Sequence, residues 1–143
     1  MQIEELEAGQ KLGPSEWREV DQARIDLFAE ATDDHQWIHV DPARAAAGPF
    51  GATVAHGFLT LSLLAPFAYE LLPLEGGMVV NYGLERVRFP SPVPSGRRIR
   101  AAVEIEELSE LGNATQVRVT WTIEVEGADM PACVATQLFR SYR

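Results

Sequence analysis

From Gly57 to Tyr69 the chain carries no charged side chain, and the first to appear is Glu70. Residues 57–72 read as a helix that is apolar on nearly every side. Such a helix is stable only when other elements cover it all round. At 1.5 Å per residue it would run roughly 24 Å, about the length of a strand crossing a small domain. Its most apolar part, residues 58–69, is too short to span a bilayer and contains Pro66. The rest of the chain must therefore supply a wrapping layer.

That layer follows in the second half. Ile99, Ala101, Val103 and Ile105 alternate with Arg100, Ala102, Glu104 and Glu106. Val117, Val119, Trp121, Ile123 and Val125 alternate with Arg118, Thr120, Thr122 and Glu124. Period two marks strands with one buried and one wetted face. Leu111-Gly112-Asn113 is the turn that joins them, and residues 79–89 and 132–142 are further strands. Upstream, residues 21–33 read as a helix capped by Asp21, with Ile25, Phe28, Ala29 and Thr32 on one face. Asp41-Pro42, an alanine-rich run and Gly48 mark a second, shorter helix. Helices first and antiparallel strands after define an α+β fold. A length of 143 residues suits one domain over 1–143. The apolar helix belongs against the concave face of the curled sheet, with a second subunit covering what remains.

Asp plus Glu number 21 against 12 Lys plus Arg, a net charge of -9. That balance disfavours nucleic acid and anionic membrane surfaces as partners. It leaves an anionic small molecule open, because a local arginine cluster overrides the global field. Arg88, Arg97, Arg98 and Arg100 form the one such cluster, a candidate for phosphate contacts or simply a solvated strand edge. Cys133 is the sole cysteine, so no intrachain disulfide forms. The acidic start, Met1 to Glu7, has no apolar run and is no signal peptide. A soluble, cytoplasmic protein is expected.

All three histidines, His35, His39 and His56, fall in one tract with acids and glycines. Asp33 and Asp34 close the first helix, where the dipole and their mutual repulsion both push a carboxyl upward. They either take part in proton transfer or end the helix in solvent. His39 lies just before the second helix, where unpaired N–H groups favour neutral imidazole. It is either a base or a buried histidine bonded to a carbonyl. His56-Gly57 opens the apolar helix, and amides there stabilise developing negative charge. His35 and His39 invite a metal reading, but Gln36 stands where the helical zinc motif has Glu, and Ile38, Val40 and Pro42 suggest extended backbone at His39. No metal is expected. Trp37, Phe50, Phe58 and Phe67 are expected in the core, some doubling as walls of a pocket.

Together these residues resemble the MaoC-like (R)-specific enoyl-CoA hydratases, also called hydratase 2. The tract Asp34-His35-Gln36-Trp37-Ile38-His39-Val40-Asp41-Pro42 and the later Ala55-His56-Gly57-Phe58-Leu59 carry the likeness. Asn81-Tyr82-Gly83-Leu84 and residues 87–93 continue it. The resemblance implies a hot-dog fold, a long central helix wrapped by antiparallel sheet, paired as a homodimer. It also implies a lyase of fatty acid metabolism acting on enoyl-CoA or acyl-carrier-protein thioesters. On that pattern Asp34 and His39 hold the reacting water and Gly57 N–H meets the thioester carbonyl. Ser62 matches a polar position near the site, or is a serine bonded to its own helix; Gln36 and His56 are further candidates for substrate contact, and Arg88, Arg97 and Arg98 are candidates for the phosphates of coenzyme A. No cofactor is implied beyond coenzyme A as part of the substrate. Many members have Asn-Pro where Gln36-Trp37 stand here, and Gln-Trp-Ile-His is similar to a subgroup with nodulation protein N-like proteins and stand-alone dehydratases. Two alternatives share the fold. One is a non-catalytic acyl-binding subunit of a heterodimeric dehydratase. The other is a thioesterase, which would want an acid on the central helix where residues 58–69 have none.

Overall fold

The computed structural model describes residues 1–143. Its two longest strands are the expected hairpin, β4 (Arg97–Glu110) and β5 (Ala114–Val125), with Val103 opposite Trp121. On the far side of β5 lies β6 (Cys133–Tyr142), and β3 (Met78–Arg88) pairs outside it, with Asn81 opposite Phe139. The outer edge of β4 is taken by two short strands, β1 (Lys11–Leu12) and β2 (Arg18–Val20). These two were not expected, because two or three residues are too few to show a period. The sheet is antiparallel throughout, in the order β1-β4-β5-β6-β3, with β2 also on β4.

The alternation places its apolar set where expected. Val117, Val119, Trp121, Ile123 and Val125 are all buried. Cys133, Ala135 and Phe139 join them from β6. They form one core with Leu59, Leu63, Leu64, Phe67 and Ala68 of the helical layer. Burying a side chain such as Trp121 or Phe67 from water contributes about 1.5–3 kcal/mol each, so this face holds the helix on the sheet.

The central helix departs from expectation in two respects. It is two pieces, α4 (Gly57–Ser62) and α5 (Leu64–Leu71), broken at Leu63. Pro66 explains the break: it has no N–H to offer the Ser62 carbonyl four residues earlier, and its ring crowds that carbonyl. Nor is the helix covered all round. Phe58 and Tyr69 are 73% and 75% exposed, and Phe50 is also in solvent. Of the four aromatics expected in the core, Phe67 is fully buried and Trp37 half-buried. The uncovered side continues onto β3, where Met78, Val80, Tyr82 and Leu84 are exposed. No helix is long and apolar enough to cross a membrane.

Cys133 is fully buried at the start of β6, and that burial pushes its thiol up to about 11. At neutral pH it is a protonated, inert side chain. A disulfide reagent such as DTNB is expected to label the folded protein negligibly over an hour. In denaturant it should label one thiol per chain, the sole cysteine. Rapid labelling without denaturant would mean that β6 opens readily.

Candidate active site

The site is built around three residues of extended chain, 53–55. On one side they pair with the connection between β3 and β4: Ala55 N–H donates to Val93 O (2.8 Å) and Ser95 N–H to Thr53 O (2.9 Å). On the other side Val54 grips a short helical turn, α2 (Trp37–Val40), by donating its N–H to Ile38 O at 3.0 Å. The Val54 carbonyl then accepts from Nδ1 of His39 at 2.7 Å. His39 is therefore helical, not extended as expected. Pro42 restricts Asp41, the residue directly before it, and leaves Val40 and His39 unconstrained. Asp41 in turn caps α3 (Pro42–Ala46), accepting from Arg44 N–H at 3.1 Å.

A carbonyl only accepts, so Nδ1 of His39 carries a proton, and in the neutral ring Nε2 is the nitrogen with the lone pair. The two readings of His39 thus coincide: it is buried, bonded to a carbonyl, and still presents a basic nitrogen. Gln22 of α1 (Gln22–Thr32) holds the same turn from below. Its Nε2 donates to His39 O at 2.7 Å while its Oε1 accepts from Thr53 Oγ1 at 2.5 Å.

Asp21 caps α1 as expected, accepting from Arg24 N–H at 2.9 Å. At the other end the two acids divide. Asp33 takes the left-handed C-cap, φ 58°, a conformation that aspartate tolerates better than most residues. Asp34 N–H still bonds Ala29 O at 3.1 Å, but the reversal at Asp33 turns the chain toward α2. Candidate ligand atoms of Asp34, His39 and His56 consequently all lie within 4.8 Å of one another. Two hydrogen bonds of about 2.8 Å to a shared water span at most about 5.6 Å, so one water can bridge the carboxylate and an imidazole.

His56 is 2% exposed. Its Nε2 donates to the main-chain carbonyl of Asp34 at 3.0 Å, and its ring stacks on His39 with centroids 3.8 Å apart and planes 22° from parallel. Phe28 closes the other flank at 4.9 Å. Nδ1 of His56 is buried with no partner, which costs about 1–3 kcal/mol. His35 lies elsewhere: it is exposed and pairs with Glu30 at 2.9 Å. The His35–His39 pair considered for a metal is thus replaced by His39–His56. That pair suits an ion poorly, since near-parallel stacked rings aim their in-plane lone pairs side by side and cannot converge on one metal about 2.0–2.1 Å from each.

Gly57 is the first residue of α4, and its N–H has no acceptor within the helix. A Cβ there would meet the Phe89 ring at 3.3 Å. Gly57, Phe50, Ala55, Thr60 and Phe89 line a hollow of about 290 Å³. Further along the helix a cleft of about 310 Å³ lies against β3 and β6, walled by Leu61, Ala65, Ala68, Val79, Leu84 and Phe139. Ser62 borders this cleft, but its hydroxyl donates to Phe58 O at 2.7 Å, the bond within its own helix. Gln36 is exposed at the start of α2, with its N–H a long 3.4 Å from Asp34 Oδ1.

The four arginines do not form one cluster, and those of β4 fit the strand-edge alternative. Arg98 pairs with Glu126 and Arg100 with Glu124, both beside Trp17. The Glu126 partnership holds the Arg98 guanidinium above its ordinary value and the Glu126 carboxyl below its own. Arg97 donates to Glu126 O at 3.0 Å. These three sit on β4, three strands from Arg88, which ends β3 with no carboxylate partner. Sequence reasoning also missed Gln22, Thr53, Val54 and Phe89. Nothing local marks them, because each acts through a contact with a distant segment.

A curled antiparallel sheet holding a central helix, with a carboxylate and an imidazole meeting beside that helix's first turn, defines a hot-dog domain of the hydratase kind. The chain belongs to the MaoC like domain family, whose model matches residues 4–127. It is 53% identical over 135 residues to 3-hydroxyacyl-thioester dehydratase Z of Mycobacterium tuberculosis, covering 93% of this chain and 89% of that one. Nodulation protein N of Rhizobium leguminosarum is 52% identical over 132 residues, 89% of this chain and 81% of that protein. The (R)-specific enoyl-CoA hydratase of Aeromonas caviae is 33% identical over 110 residues, 77% of this chain and 78% of that one. The solved (R)-hydratase from A. caviae superposes with a TM-score of 0.79 at 27% identity, covering 94% of this chain and 96% of that one.

Proposed function

We propose that this protein is a hydro-lyase that interconverts trans-2-enoyl and (R)-3-hydroxyacyl thioesters. The observation that carries the reading is the meeting of the Asp34 carboxylate with His39 within 4.8 Å, beside the opening of α4. The names of the relatives supply the substrate class and the hand of the product. A water held between Asp34 and Nε2 of His39 adds its oxygen to C3. One of the two groups takes a proton from the water while the other, which enters the step protonated, delivers its own to C2; passing one proton between them restores the pair, and dehydration runs the same steps in reverse. The two titrate as a coupled pair, so base and acid belong to the pair. As C2 gains carbanion character the thioester oxygen gains negative charge. Gly57 N–H is aimed at that charge and stabilises the transition state more than the ground state.

Only a water and its protons move, so the chemistry calls for no redox group and no metal; coenzyme A enters as part of the substrate. The apolar cleft beside Leu61 and Ala65 suits an acyl chain, with Ser62 at its border. Gln36 stands at the mouth of the site. The exposed Phe58, Tyr69 and β3 edge are suited to a second copy of the chain, giving a homodimer. Buried Cys133 and the absence of disulfides fit a cytoplasmic setting.

Loss of enoyl absorbance on hydration of crotonyl-CoA, with chiral analysis of the 3-hydroxy product, tests the reading. An (R)-product is expected; release of free thiol without hydration would point to a thioesterase instead. Arg88 is the cluster member left for a phosphate. Arg88→Ala is expected to raise KM for crotonyl-CoA about three- to tenfold with kcat little changed, because it contributes equally to ground and transition states. An unchanged KM would remove Arg88 from the binding site.

A further inference from the structure

We infer that His56 is a positioning residue that sets the Asp34 loop, the His39 ring and the Gly57 amide relative to one another. This deepens the hydratase reading and rests on it. Three observations meet in this residue, two in its ring and one in its main chain. Its Nε2–H donates to the carbonyl of Asp34, 22 residues earlier in the chain, at 3.0 Å. Its ring lies face to face with His39 at 3.8 Å. Its own carbonyl accepts Thr60 N–H at 3.1 Å and so begins α4, whose first amide belongs to Gly57.

The same geometry keeps His56 out of proton transfer. Nε2 is committed to a carbonyl, and Nδ1 is buried with no partner. A side chain kept for packing alone would not leave a buried nitrogen bare. The imidazole here combines a flat face for His39 with a donor on its far edge, and no apolar side chain offers both.

Replacing the ring by one that stacks but cannot donate should let the Asp34 loop drift, and a misplacement of about 1 Å costs up to about 10²-fold. His56→Phe is therefore expected to lower kcat for crotonyl-CoA hydration about 10²-fold with KM within about threefold. His56→Gln restores a donor at the position of Nε2 and should recover at least tenfold of that loss. Near-normal kcat in His56→Phe would overturn the inference, as would equal impairment of both variants at equal thermal stability. Histidine ring 15N spectra of the unsubstituted protein provide a test that needs no activity. They should place the proton on Nδ1 of His39 and Nε2 of His56; a proton on Nδ1 of His56 would overturn the inference. An unsubstituted protein that fails to hydrate any enoyl-CoA, with those tautomers intact, would instead sink the hydratase reading.

Discussion

Asp34→Asn is expected to lower the rate of crotonyl-CoA hydration by about two to four orders of magnitude. Asparagine keeps the size of the side chain and can still hydrogen-bond a water. It cannot take or give a proton at neutral pH, so the reacting water keeps one partner and loses half of its chemistry. Asp34 is exposed, and its structural work is done by the main chain: its N–H bonds Ala29 O and its carbonyl accepts from His56. Stability should therefore change by no more than about 0.5 kcal/mol. Turnover within tenfold of the unsubstituted protein, at unchanged melting temperature, would remove Asp34 from the mechanism.

His39→Ala should abolish activity to a similar degree, about two to four orders of magnitude, but with a different structural signature. His39 is 7% exposed, and its Nδ1–H is the donor to Val54 O. Truncation strands that carbonyl and removes the face on which His56 stacks. A destabilisation of about 1–3 kcal/mol is expected from the lost hydrogen bond. Exposure thus makes the substitution structurally mild at Asp34, and burial makes it costly at His39. Activity of the His39 variant must be read well below its lowered melting temperature. Because the two residues act on one water, the Asp34→Asn/His39→Ala double variant should fall no more than about tenfold below the worse single one. Fully multiplicative losses would show two independent roles.

Much of this protein was legible along the chain because the relevant physics is local. The alternation in residues 117–125 reports which face of β5 is buried. The caps at Asp21 and Asp41 need only their own next turn, and both accept the expected amide. The Asp34–His39 and His56–Gly57 pairs were visible as a family pattern. Their likeness to a hydratase agrees with the MaoC like domain match and with the fold of the solved (R)-hydratase. Local rules also misled where they were applied one residue too far. The restraint of Pro42 was extended to His39 although it acts on Asp41, and Pro66 was read for its bearing on a membrane span although it breaks the central helix.

The amino-acid sequence by itself determined the α+β class, the strand faces, the helix caps and the residue types able to move a proton. The tertiary structure alone decided which histidine meets His39. It set His35 aside on Glu30 and brought His56 against His39, across a separation that no helical or strand period spans. It also decided that the arginines of β4 answer to glutamates, with Arg88 left apart. The reason is physical. Propensity and period fix geometry over one or two turns, whereas this site exists only because Val54 pairs on one side with the β3–β4 connection and on the other with α2.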